Sequence, residues 1–393
     1  LAILFVTMIG YGVTLPVLPF YVERLVTAGG ASREFVAFHV GMLTAVYAVM
    51  QLVCAPVWGR WSDRIGRRPF VLLGITGYAV AQLLFGLATS LWVLYLARIA
   101  GGILSSATLP AAAAYVTDST TDDTRARGMA WLGAAVNLGV ILGPALGALF
   151  VRADAHADLR VWHFRADGFS VPFFVAAALA VPTVPTAVRW LPESLPVRAA
   201  RAAGPTADEA RSVLARLRPL LALALLSQFG LTVFEATFAL HAQEALGYGP
   251  DEMAAVFVVC GLTMAVFQIG AVGHLGGRRR ERLTVAAGFG VMGFSLAILT
   301  MPRAMPAILV VVGLLGTGMA LIAPNLASWI SRRGRAGAGA ALGAQNAANS
   351  LGQAGGSLFG SALFAWRMEA PYVLTGAVLA IAGVMLARRA VTK

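Results

Sequence analysis

Two ionisable side chains stand deep inside apolar sequence. Glu235 lies in the middle of LLALALLSQFGLTVFEATFALHA, between Pro219 and Ala242, and Arg98 lies in SLWVLYLARIAGGIL. A charged group at the centre of a bilayer costs at least ~2.5–3.5 kcal/mol on insertion scales, so such groups face wet cavities and carry function. Burial favours the neutral form of a carboxyl, so an acid there can take a proton from one side of a membrane and release it to the other. A guanidinium keeps its charge at any relevant pH, so Arg98 acts as a fixed charge and not as a proton carrier. Gln228, Leu231, Thr232, Phe238 and Ala239 fall at helical spacing around Glu235 and give it polar and aromatic neighbours.

The segments that position these two groups are membrane spans. The 393-residue chain is 59% hydrophobic and only 12% charged, with mean hydropathy +0.77, whereas soluble chains carry about 25% charged residues. Twelve apolar runs, at 2–22, 38–58, 69–88, 91–116, 129–151, 169–190, 219–242, 252–275, 283–302, 305–330, 338–366 and 370–387, match the ~30 Å of hydrocarbon a helix must cross. The fold class expected is therefore an all-α membrane protein of twelve transmembrane helices in two pseudo-symmetric six-helix bundles. The first span is too long and too Pro-rich for a cleaved signal peptide. The net charge of +12 does not point to nucleic acid. With both termini cytoplasmic, inward segments hold 22 Lys+Arg and outward ones 7, which is the positive-inside distribution.

The chain reads as a duplication. GRWSDRIGRRP at 59–69 recurs in degraded form as GHLGGRRRERL at 273–283, and the stripe Gly139, Gly143, Gly147 recurs as Gly352, Gly356, Gly360. Residues 1–190 and 219–393 are expected to form the two bundles. Residues 191–218 form a cytoplasmic linker in which PTADEARSVLARL makes a short amphipathic surface helix. Carriers built from repeats bind substrate near the midplane and rock the halves in turn.

The loop GRWSDRIGRRP sets Gly59, Asp63, Arg64, Gly66, Arg67 and Arg68, with Arg60, in a tight turn between the second and third spans. Its two glycines permit a sharp reversal. Asp63 can pair with arginine or sit on a helix N-terminus, and such contacts hold one side of a carrier shut. A topogenic arginine cluster would explain the arginines but not this fixed arrangement. The glycines at 139, 143 and 147 share one helix face, with Pro144 after the central one, a pattern that lets helices approach closely and bends the span. Candidate substrate contacts are Tyr11, Tyr47, Gln51, Asn137, Phe238, Phe267, Gln268, Asn325, Gln345 and Asn349, polar or aromatic groups within spans. Tyr47 with Gln51, and Gln345 with Asn349, repeat at i, i+4. An apolar cavity with a few amides and one acid suits amphipathic, frequently cationic molecules. Cys54 and Cys260 have no metal or redox spacing and read as packing residues. Among the five histidines only His241 lies near the acid.

GRWSDRIGRRP resembles the signature loop of the major facilitator superfamily. GYGVTLPVLPFYV (10–22) resembles the first span of its twelve-helix drug:proton antiporter branch, GVILGPALG (139–147) the fifth-span antiporter motif, Arg98 with Gly101 and Gly102 the fourth-span arginine motif, and LPES (191–194) the end of the sixth span. The likeness runs nearly the whole length, and FEATFAL (234–240) is similar to the acidic seventh span of NorA-type multidrug exporters. It implies proton coupling through Glu235, with Arg98 linked to proton movement or structural hydrogen bonding, and a glycine stripe that seals the bundle against leak. The second acid of NorA-like exporters is missing, with Ala320 about where it would fall. The acids of TetA-type tetracycline exporters in the first and third spans are missing too, which weakens a tetracycline–metal reading.

The resulting expectation is a proton-coupled exporter of lipophilic, often cationic drugs working by alternating access. The alternative is an exporter of one metabolite, sugar or tetracycline-like compound. No enzyme is expected: there is no P-loop, Lys393 is the only lysine, and neither an HExxH motif nor paired intramembrane aspartates occur. No metal and no cofactor are expected, the proton gradient being the energy source. The partners are a small-molecule substrate, protons and the lipid bilayer. The expected setting is a monomer in a bacterial inner membrane, both termini cytoplasmic.

Overall fold

A glycine divides the second helix from the third. α2 (Arg33–Ile65) stops where Gly66 takes φ +124°, and α3 (Arg68–Gly86) starts at once with Pro69 in its first turn. Only glycine adopts that backbone freely, and proline at a helix start loses no hydrogen bond. The computed structural model describes residues 1–27, 32–153, 159–161, 164–166, 169–194, 207–274, 278–334 and 338–391. The other helices are α1 (Ala2–Thr27), α4 (Leu91–Leu104), α5 (Thr108–Asp118), α6 (Asp122–Ala153), α7 (Val171–Trp190), α8 (Ala207–Leu246), α9 (Pro250–His274), α10 (Arg278–Ile298), α11 (Met305–Gly334), α12 (Ala338–Trp366) and α13 (Ala370–Val391).

The all-α expectation holds, with one addition: β1 (Leu159–Val161) and β2 (Phe164–Ala166) pair antiparallel, Leu159 opposite Ala166. α4 and α5 form one span broken by a 3-10 turn, Ser105–Ala107. The Ser105 hydroxyl donates back to the Gly101 carbonyl, Ser106 donates to Ile103 at 2.8 Å, and Pro110 follows in α5. Serine back-bonding and a missing proline N–H both loosen the helical ladder at this point.

Among the described residues, ten helical segments are long and apolar enough to cross a membrane. α12 is not among them, and the described apolar run of α6 is Trp131–Gly147. α12 carries the second glycine stripe, and its small and amide residues serve helix packing more than hydropathy. Trp92, Trp190 and Trp366 are 83%, 74% and 78% exposed at ends of α4, α7 and α12, where indoles favour the lipid–water boundary.

The chain divides into two compact units, 1–31 with 46–202 and 249–254, and 32–45 with 203–248 and 255–393. Within the first, α6 lies along α1 and α7 along α3; within the second, α12 lies along α8 and α13 along α10. Counting α4–α5 as one span, both units thus pair their first span with their fifth and their third with their sixth. Tyr21, fully buried, stacks on Phe173 at 5.7 Å, and its hydroxyl lies 2.7 Å from the carbonyl of Phe85 in the last turn of α3 and 3.0 Å from that of Ala88 just beyond it. In the second unit Phe234, Phe238 and Tyr372 form a closed aromatic core, with the Thr237 hydroxyl 2.9 Å from that of Tyr372.

Of the expected linker, 195–206 lie outside the described residues. Residues 207–218 are helical, as expected of PTADEARSVLARL, and run on into α8 without a break, with Pro219 inside it. The run of good helix formers (Ala, Glu, Arg, Leu) before the proline carries the helix through. In the degraded second loop, 275–277 also lie outside the described residues.

Candidate functional site

The expected tight turn is shorter than its motif. Gly59, Asp63 and Arg64 are helical, on the last turns of α2, and the reversal takes only Gly66 and Arg67. A Cβ at Gly59 would meet nothing within 4 Å, so no steric demand requires glycine there. At Gly66 a Cβ would lie 2.3 Å from Oε2 of Glu193.

Arg67 is the hub. Its Nη1 donates to Asp63 and, at 2.9 Å, to Ser62, and its Nε donates to Asp118 at 3.0 Å at the end of α5. Burial opposes the charge on Arg67, but Asp63 and Asp118 outweigh it and hold its pKa above the ordinary guanidinium value. Asp63 does not sit on a helix N-terminus. Glu193, just after α7, does: its Oε1 accepts the Arg67 N–H at 2.7 Å and its Oε2 the Arg68 N–H at 3.1 Å. A carboxylate over the first N–H groups of α3 satisfies orphan donors and favours the helix dipole. Arg68 in turn donates to the Val188 carbonyl of α7. One charged cluster thus staples the ends of α2, α3, α5 and α7. Sequence reasoning misses Asp118 and Glu193 as members of it, although Glu193 belongs to the visible LPES motif.

The glycine stripe meets backbone. A Cβ on Gly139 would lie 2.6 Å from the Phe5 carbonyl oxygen, and one on Gly143 would lie 2.4 Å from that of Ile9; Gly147 is looser, at 3.5 Å from Val17. Pro144 has no N–H for the Val140 carbonyl, and that oxygen lies 2.6 Å from the Cβ position of Gly12. The second unit repeats the device: a Cβ on Gly352 or Gly356 of α12 would lie 2.2 or 2.5 Å from the carbonyl oxygen of Leu225 or Phe229 of α8. Helices this close exchange Cα–H···O contacts in place of side-chain packing.

Arg98 opens onto a cavity in the first unit. Tyr11, Thr7 and Thr14 of α1, Tyr47 of α2, Tyr78, Gln82 and Phe85 of α3, and Ser105 line it. Arg98 is 6% exposed, with its guanidinium 5.4 Å from the centroid of Tyr47 and 5.2 Å from that of Phe85. Tyr11 and Tyr47 lie 6.4 Å apart, and Gln51 donates to the Tyr47 hydroxyl at 3.2 Å. The structure therefore gathers Tyr11 and Tyr47 about Arg98, with Gln51 hydrogen-bonded to Tyr47. Tyr78 and Gln82 join them without having been expected, although a glutamine in GYAVAQLLFG is a visible polar interruption.

Glu235 is half-buried on α8, one carboxylate oxygen sealed from solvent. The Cys260 thiol of α9 lies within electrostatic range of it. Of its expected neighbours, Gln228 donates to Thr232 at 3.4 Å. Phe238 takes another place than expected: fully enclosed, it packs 5.4 Å from Phe234 and 6.0 Å from His241. A helical wheel puts Phe238 beside Glu235, but α13 brings Tyr372 over that flank at 6.5 Å and closes it. Asn325 is buried and donates to the Leu321 carbonyl at 2.9 Å. Gln345 is buried and Asn349 half-buried on α12; Gln268 is half-buried and Phe267 exposed on α9. The side chain of Asn137 lies outside the described residues. Ala320 is buried at 2% exposure.

The family model of the Major Facilitator Superfamily matches residues 1–357. This chain belongs to that superfamily. It is a multi-pass membrane protein of a family of small-molecule transporters. Multidrug resistance protein 2 of Bacillus subtilis (strain 168) is 27% identical over 389 residues, covering 96% of this chain and 91% of that protein. Tetracycline resistance protein, class G, of Vibrio anguillarum is 32% identical over 333 residues, covering 82% and 79%. Among solved structures, the human organic anion transporter MFSD10 (TETRAN) superposes with a TM-score of 0.74 at 21% identity, covering 98% of this chain and 97% of that one. That likeness concerns the fold.

Proposed function

We propose that this superfamily member is a drug:proton antiporter that exports lipophilic, often cationic compounds from the cytoplasm. Glu235 carries the reading: it is the one acid deep in the apolar sequence, half-buried and with one oxygen sealed. Protonated from outside, Glu235 lets cargo go; deprotonated inside, it accepts a cation. Arg98 acts as the fixed charge of the first unit. The cluster around Arg67 latches one end of that unit, and the glycine stripes keep α1–α6 and α8–α12 dry as the units move. The likeness to proteins named for multidrug and tetracycline resistance supports drugs as the cargo class.

The proton gradient is the energy source, and no cofactor or chemical step is needed. One charge falling through 100 mV yields ~2.3 kcal/mol, against ~1.4 kcal/mol per tenfold gradient. One proton thus supports a gradient of roughly fifty-fold for neutral cargo, and a pH difference adds to it. For a monovalent cation one-for-one exchange is electroneutral, and the pH difference alone drives it. The setting is the bacterial cytoplasmic membrane with both termini inside, and the working unit is a monomer.

The test is pH-driven efflux of a cationic dye from proteoliposomes. Glu235→Gln is expected to abolish uphill transport. Uphill transport that survives the substitution ends this assignment.

A further inference from the structure

We infer that the cavity around Arg98 is a binding site for the carboxylate of an amphipathic cargo molecule. The inference adds carboxylate-bearing molecules, zwitterions included, to the cargo of the exporter proposed above and rests on that reading only in calling the ligand cargo; binding itself can be tested separately.

The first observation is a buried charge with nothing opposite to it. Arg98 is only 6% exposed, and its Nε is sealed without an acceptor. Among the described residues it makes no ion pair, and the cavity lining contains no acid. A structural arginine in a helix bundle hydrogen-bonds backbone carbonyls; Arg98 makes no such bond among the described residues. Its contacts are the faces of Tyr47 and Phe85, at 5.4 and 5.2 Å. Rings so placed hold a guanidinium and partly offset its charge, but leave its fork unused.

The second observation is the wall. A Cβ on Gly10 would stand 2.0 Å from both the Tyr78 hydroxyl and Gln82 Nε2, so only glycine lets these polar groups reach α1. Gln51 donates to the Tyr47 hydroxyl at 3.2 Å and the Ser105 hydroxyl is within its hydrogen-bonding reach, so the phenol of the wall that makes no hydrogen bond among the described residues is that of Tyr78. Donors of three kinds (guanidinium, phenol and amide) therefore surround a space that holds no acceptor of full charge. An anion completes it, and a planar carboxylate fits a guanidinium fork with two parallel bonds.

Size decides how much of the ligand enters. The cavity offers about 40 Å³ to water centres, where one water needs roughly 10–15 Å³. That admits a carboxylate head or a few waters, not a whole drug. The site is an anchor for one end of a longer molecule.

The experiment uses the full chain in nanodiscs of phosphatidylcholine alone, so that no anionic headgroup competes, at pH 7.5 without a proton gradient. The probes are 2-naphthoate and its methyl ester, which share an apolar body and differ in the charge. The acid is expected to bind at least tenfold tighter than the ester, and Arg98→Gln to erase that preference while ester affinity stays within twofold. Equal affinities in the unaltered protein, or a preference that survives Arg98→Gln, would overturn the proposal. Should Arg98→Gln not elute as a folded species, Tyr78→Phe serves: a loss of about threefold or more for the acid alone supports the site, and no loss overturns it. Because no gradient is present, the result is independent of whether Glu235 couples transport to protons.

Discussion

Glu193 and Arg67 are 126 residues apart in the chain and in direct contact in space, the carboxylate accepting the backbone N–H of Arg67 at 2.7 Å. The contact welds the end of the sixth span to the start of the third. Removing it by Glu193→Ala leaves two N–H groups of α3 uncapped, at a cost of roughly 1 kcal/mol. Thermal unfolding in detergent should show a drop in Tm of a few degrees, with Glu193→Asp intermediate. An unchanged Tm would show that the cap contributes nothing.

The two glycines of the loop should behave oppositely. Gly66→Ala strains a residue at φ +124° and drives a methyl into Glu193, costing about 1–3 kcal/mol. Gly59→Ala occupies open space on a helix and should stabilise by about 0.5–1 kcal/mol. Both changes fall in one signature motif, so unfolding midpoints that move together would contradict the helical placement of Gly59.

The partners of Arg67 are unequal. The Asp118 side chain is 20% exposed and that of Asp63 62%, and exposed pairs are worth about 0–1 kcal/mol. Asp118→Asn is therefore expected to lower stability more than Asp63→Asn, and the double variant to cost less than the sum, since both act on one guanidinium. A double-variant cycle on Tm measures this directly.

Glycine-stripe variants should divide by distance. Gly143→Ala and Gly356→Ala place a methyl 2.4 and 2.5 Å from a carbonyl oxygen, and overpacking of this kind costs about 1–3 kcal/mol. Gly147→Ala and Gly360→Ala meet their neighbours at 3.5 and 3.4 Å and should be tolerated. Folded yield and dye efflux are expected to fall several-fold for the first pair and stay within twofold for the second.

Phe238 and Phe267 separate packing from surface. Phe238→Ala empties a fully enclosed site and should cost about 3–5 kcal/mol, read as lost folded protein. Phe267, 47% exposed, should tolerate alanine with little change in Tm. Comparable losses in both would show that Phe267 is packed as well.

Much of this is legible in the residues. Glu235 and Arg98 stand out because a charge in apolar sequence is costly wherever the chain folds. The glycine stripe and its copy stand out because the i, i+4, i+8 period belongs to the helix itself. The reach of α8 through Pro219 is not legible, since a proline after a polar stretch reads as a boundary until neighbouring turns carry the helix past it. The enclosure of Phe238 is also hidden. Its helix puts it beside the acid, and only α13, far on in the chain, covers it with Tyr372.

The sequence by itself determined that the chain crosses a membrane many times, that it repeats a six-span unit, and which two ionisable groups lie within the spans. Those properties follow from local hydropathy and periodicity, which need no partner. Tertiary structure alone decided that Asp118 and Glu193 complete the Arg67 cluster, that Tyr78 and Gln82 share a cavity with Arg98, and that the glycines press on the carbonyls of α1 and α8. Each of these depends on atoms distant in the chain meeting within a few ångströms, and helix packing, not composition, sets those distances.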